Sequence, residues 1–123
     1  MNSCPDRELG WSGIVDNKAI TGYSISHADG LKMSETYIPN YQQSEDALIF
    51  FLYVANTFTR AVDQGISGIT ARTGVAGAAL EVMLFIRLIQ ACQERKITTR
   101  KLFDLFSVGR QISLQDVEQA TST

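Results

Sequence analysis

Two long apolar segments dominate the pattern of the chain, and polar, turn-rich stretches flank them. Ala47 to Phe58 reads ALIFFLYVANTF, and Val75 to Cys92 reads VAGAALEVMLFIRLIQAC, with a Gly-containing segment between. Runs of this length predict helices, and helices so apolar must be covered on most sides. Ser44 is a suitable N-cap for the first, and Glu45 and Asp46 place negative charge where the helix dipole favours it. That helix is expected to reach about Gln64. Thr73 caps the second, which should extend to about Glu94 behind a narrow polar stripe of Arg87, Gln90 and Glu94. Together they predict a central helical hairpin.

Ahead of the hairpin, Trp11 to Ile38 favours extended structure. Trp11, Ile14 and Val15 form a short apolar run, and Asp16-Asn17-Lys18 supplies turn residues. Thr21, Tyr23 and Ile25 recur at period two, and Asp29-Gly30 signals a second turn. Leu31, Met33, Glu35 and Tyr37 then alternate with Lys32, Ser34 and Thr36 before Pro39 ends the run. After the hairpin, Thr98 or Thr99 opens a short helix that Gly109 ends. Ser113 opens another, with Asp116 as its capping-box partner and Ile112 and Val117 as a hydrophobic staple. The expected fold class is α+β: a small N-terminal antiparallel sheet of two or three strands packed on a mainly helical core. Residues 1–123 are expected to form one domain, with 1–10 and 119–123 loose.

Composition narrows the class. At 123 residues, 45% hydrophobic and 20% charged, the chain can build a core without staples. Cys4 and Cys92 are the only cysteines, and no CxxC or Cys/His cluster accompanies them, so neither a metal site nor a cofactor is expected. Glu81 and Arg87 lie inside the longer apolar run, and each would cost about 2.5–3.5 kcal/mol at mid-bilayer, which argues against a membrane span. The first twenty residues hold Asp6, Arg7, Glu8 and Asp16 and no continuous apolar run, so a cytoplasmic location is the simplest expectation.

Charge and candidate chemistry come last. The net charge is −2, with four basic against eight acidic residues up to Gln64 and seven against five beyond it. Arg95, Lys96, Arg100 and Lys101 form a basic cluster in the second half, followed by Arg110. His27 sits near Ser24, Ser26 and Asp29, but triad members normally converge from separate elements. Glu81 has no cation within reach on its predicted helix, so it needs a partner from elsewhere. Arg60 and Arg72 are the nearest candidates for an ion pair with it. The glycine-rich GISGITARTGVAG (65–77) lacks the Gly-Lys-Ser/Thr ending of a phosphate-binding loop. It loosely echoes a helix-turn-helix, yet Ala76, Gly77, Ala78 and Ala79 at the reading positions offer no side-chain hydrogen bonds to bases.

Lacking a catalytic constellation, the sequence points away from an enzyme and towards stoichiometric protein binding. An inhibitor, an immunity-type or antitoxin-like neutraliser, or an adaptor of a basic partner protein fits, with Trp11, Asp16, Tyr23, Asp29, Glu35, Glu45 and Asp46 as contacts. A nucleic-acid-binding regulator using Arg95, Lys96, Arg100 and Lys101 ranks behind it, dimerising through the helix of residues 75–92. A third possibility is a small enzyme or ligand carrier with Glu81 in an interhelical pocket, paired with Arg60 or Arg72.

Overall fold

A computed structural model describes residues 11–42 and 47–122. Three strands, β1 (Trp11–Lys18), β2 (Ala47–Ala55) and β3 (Ala76–Glu81), form one sheet in the order β1-β2-β3. Between β1 and β2 lie α1 (His27–Lys32), a π-helical turn (Met33–Tyr37) and α2 (Ile38–Gln42). The helix α3 (Val62–Thr73) links β2 to β3, and α4 (Val82–Gln93), α5 (Thr99–Phe106) and α6 (Leu114–Thr121) follow. The mixture of helices with one small sheet is the α+β class expected. The strands, however, are parallel throughout, not antiparallel.

The central helical hairpin does not exist. Its first member is β2 and its second divides into β3 and α4. Phe50 to Ala55 are each at most 1% exposed, because β2 is covered on both faces. Phe51, Tyr53 and Ala55 pack with Ile14, Met33, Ile38, Val62, Ile66 and Ile69 beneath α1–α3. Phe50, Leu52 and Val54 pack with Leu84, Leu88, Leu102, Phe106, Ile112 and Val117 beneath α4–α6. A parallel strand buried on both sides reads as a continuous apolar run, which is the pattern a buried helix also produces.

The extended stretch expected up to Ile38 also stops early. β1 ends at Lys18, and His27 onward is helical, with Ser26 as N-cap accepting from the Asp29 amide at 3.0 Å. The proposed dimer helix of residues 75–92 fails too, since Ala78, Ala79 and Leu80 are buried within the sheet. The same strand removes the helix-turn-helix echo. At the C-terminus, Thr98 caps α5 and Gly109 follows it at φ +81°. Ser113 and Asp116 form the expected capping box of α6, with Ile112 and Val117 both buried.

Close approach explains two glycines. A Cβ on Gly13 would fall 2.0 Å from the Phe50 ring, and one on Gly77 would fall 2.3 Å from the Phe51 ring. The two phenylalanines of β2 thus lie over glycines of its two neighbours, on opposite faces of the sheet. The outer side of β3 is covered by residues 109–112, through Gly109 N–H to Gly77 C=O (2.8 Å) and Ile112 N–H to Ala79 C=O (2.7 Å). No helix among the described residues is long and apolar enough to cross a membrane.

Candidate active site

Asp16 and Lys18 stand two residues apart on β1, so their side chains leave the same face of the sheet. That face is the one carrying Ile14 and Tyr53, and Asp16 lies in register with Tyr53 on β2. The Lys18 ammonium is 3.5 Å from Asp16 Oδ2 and 3.8 Å from Asp29 Oδ1. All three side chains are only 20–25% exposed. A Lys between two partly buried carboxylates, at the carboxyl end of a parallel strand, lies where ligands of open α/β sheets commonly bind.

Two phenols back this cluster. Tyr23, buried in the extended segment after β1, is fixed by backbone bonds to Thr57 and Thr59, each 3.0 Å. Its hydroxyl donates to Asp29 Oδ2 at 2.7 Å. That bond, helped by Lys18 and the Ser26 hydroxyl, holds the Asp29 carboxyl below the usual carboxylate range against the opposing effect of burial. Burial and the Asp29 contact push the Tyr23 phenol well above its ordinary value. Tyr53 is fully buried, and its hydroxyl has no hydrogen-bond partner among the described residues. A cavity of about 220 Å³ opens beside Asp16, lined also by Ile14, Val15, Tyr37 and Tyr41.

Three of the residues expected from sequence therefore converge: Asp16, Tyr23 and Asp29. Glu35 is exposed on the π-helical turn, away from any hydrogen bond described for the cluster. Trp11 begins β1, and Glu45 and Asp46 lie outside the described residues. Of the basic cluster, Arg95 and Lys96 occupy the turn after α4, and Lys96 pairs with Glu94 at 2.9 Å. Arg100 and Lys101 ride on α5, which packs against the opposite face of the sheet. Glu81 ends β3 and accepts from the Gln111 side-chain amide at 3.3 Å, while neither Arg60 nor Arg72 forms an ion pair with it among the described residues. Lys18 and Tyr53 were missed by sequence reasoning. The first sat in a triplet with turn composition and the second in a run taken for a helix. The alternation Ile14, Asp16, Lys18 is the signal that would have found Lys18.

A family model for the FokI cleavage domain matches residues 4–113. The chain belongs to the FokI cleavage-domain family. No curated protein and no solved structure matches it. This family comprises DNA-cleaving domains of the restriction endonuclease kind, and membership overturns three expectations. The inhibitor, immunity or antitoxin-like reading falls, as does the conclusion that the chain is no enzyme. The ranking of nucleic acid behind a basic protein partner is reversed. Asp16 and Lys18 do not read as a pair in the sequence because residues 16–18 have turn composition, whereas they end β1 and share one face of the sheet.

FokI-type cleavage is phosphodiester hydrolysis, for which a divalent cation is the usual helper. Among the described residues no group of three or more His, Cys, Asp or Glu side chains could hold a metal ion. Mg²⁺ asks for less, because it keeps several waters and takes one or two carboxylates together with substrate phosphate. Asp16 and Asp29 meet that demand, and the cluster does not suit zinc.

Proposed function

We propose that this chain hydrolyses DNA phosphodiester bonds at the Asp16–Lys18–Asp29 cluster. The observation that carries the reading is the placement of a carboxylate and an ammonium two residues apart at the end of β1, facing a second carboxylate from α1. Asp16 and Asp29 would hold a divalent cation, which would supply positive charge at the scissile phosphate and acidify water there. Lys18 offers a compact, multiply donating charge suited to a phosphate oxygen and to the extra negative charge of the transition state. In the reaction, a water oxygen bonds to phosphorus as the bond to a deoxyribose oxygen breaks. The proton lost by the water ends on that leaving oxygen, giving a phosphate monoester and a free hydroxyl. Tyr23 acts on Asp29, fixing its carboxylate so that only one oxygen is left facing Lys18.

Nicking of supercoiled plasmid in Mg²⁺ tests this. Asp16→Asn and Lys18→Ala are expected to lose about 10²-fold or more in rate, with the melting temperature held within a few degrees because neither side chain is in the apolar core. Wild-type rates in the Asp16→Asn protein would reject the site.

A further inference from the structure

Tyr53 places a hydroxyl in the largely apolar floor beneath the proposed site, in the same buried cluster as Tyr23. It lies towards the carboxyl end of the middle strand, fully buried, in register with Asp16 and on the same face as Asp16. Its ring lies 6.0 Å from that of Tyr23 and 6.1 Å from that of Phe51. The two phenols differ in one respect: Tyr23 spends its proton on Asp29, and Tyr53 has no partner for its own among the described residues. A buried hydroxyl without a partner forfeits its hydration for nothing in return, and phenylalanine would fill the same space. The strand already uses phenylalanine at Phe50 and Phe51, where no oxygen is called for. Burial above all, then the charges of Asp16 and Asp29, pushes the Tyr53 phenol above its ordinary value.

We infer that the Tyr53 hydroxyl is a concealed hydrogen-bond donor of the active site, serving an oxygen atom bound above it beside Asp16 and Asp29. That oxygen belongs either to a hydration water of a divalent cation or to the substrate phosphate, and a neutral donor suits both. The inference rests on the hydrolytic reading of the same cluster. Tyr53 is then a positioning residue in the first case and a catalytic residue in the second.

Tyr53→Phe removes only the oxygen and should keep or slightly raise the melting temperature. Three measurements on the full chain separate the outcomes: calorimetric titration with Mg²⁺ alone, near-ultraviolet tyrosine absorption during that titration, and binding and nicking of DNA. If the hydroxyl serves a hydration water, Tyr53→Phe weakens Mg²⁺ binding about 10-fold, and the tyrosine difference spectrum seen on adding Mg²⁺ to the wild type shrinks. If it serves the phosphate, Mg²⁺ affinity is unchanged and the nicking rate falls about 10-fold at saturating Mg²⁺. Wild-type values for all three in Tyr53→Phe overturn the inference, and if Asp16→Asn is inactive in the same assays the hydrolytic reading survives that failure. Asp16→Asn that binds Mg²⁺ and nicks DNA like the wild type overturns both.

Discussion

Two ionic clusters among the described residues differ in character, and residue-level geometry tells them apart. Arg110 grips Asp116 with two nitrogens at 2.7 and 3.0 Å, while Asp116 also accepts from the Ser113 amide at 2.8 Å. Arg110 above all, then Ser113, holds the Asp116 carboxyl well below the usual carboxylate range. Lys18 approaches its two carboxylates only to 3.5 and 3.8 Å, too long for the short charge-assisted bonds of the Arg110 clasp, so its ammonium is held less firmly. The first cluster is a structural clasp of α6, so its cost appears in stability. Because the folded pKa of Asp116 is depressed, its contribution is complete above the ordinary carboxylate pKa of about 3.9 and is lost as pH falls below it. Asp116→Ala is expected to unfold about 1–2 kcal/mol more easily than the wild type at neutral pH. That gap should narrow when urea unfolding is repeated at about pH 2.5. A gap of equal size at both pH values would mean that capping geometry, and not charge, supplies the effect.

Among the elements, the sheet is held by interdigitation between aromatic rings and missing side chains. Phe51 occupies the space that a Cβ on Gly77 would need. Gly77→Ala should therefore destabilise by about 1–3 kcal/mol through overpacking, and adding Phe51→Leu should return part of that loss. Denaturant midpoints check both, and an unchanged midpoint for Gly77→Ala would show that the ring can move aside. The same burial explains what was legible in sequence. Short amphipathic helices with side-chain caps, α5 and α6, could be read from Thr98, Ser113 and Asp116 because each announces its start locally. β2 could not, since burial on both faces erases the period-two alternation that marks a strand. β1 was half legible: Ile14 and Val15 suggested a strand, but Asp16-Asn17-Lys18 has turn composition. Only pairing with Tyr53, Val54 and Ala55 keeps it extended. The candidate site is thus visible in the sequence as two separate acids and one tyrosine, and invisible as a cluster, because Lys18, its centre, lies in a triplet of turn composition.

At the scale of the whole molecule, a net charge of −2 is unusual for a protein that meets DNA. Lys96, Arg100 and Arg110 are already paired with carboxylates, which reduces the charge available for phosphates. The basic residues once thought to form a nucleic-acid surface also divide, with Arg100 and Lys101 on the helix that packs against the face opposite Asp16. DNA binding by this chain should consequently be weak. Its logarithmic salt dependence should be shallow, with a slope no steeper than about −3, equivalent to about three phosphate contacts. Fluorescence anisotropy of a labelled duplex across a salt series measures it. A slope near −6 would reveal a basic surface beyond the residues considered.

One feature of the topology bears on when such a chain becomes dangerous. β1 carries Asp16 and Lys18, yet among the described residues its only strand neighbour is β2, and Trp11 pairs with Ala47 far along the chain. During synthesis the residues proposed to cut DNA would emerge before β2 and remain unassembled until that strand is made and docks beside them. Closing a parallel pair over so many intervening residues is slow compared with forming local helices. On the proposed function, hydrolytic capacity would then arrive together with a completed sheet, and nascent or damaged copies would carry the groups but not the weapon.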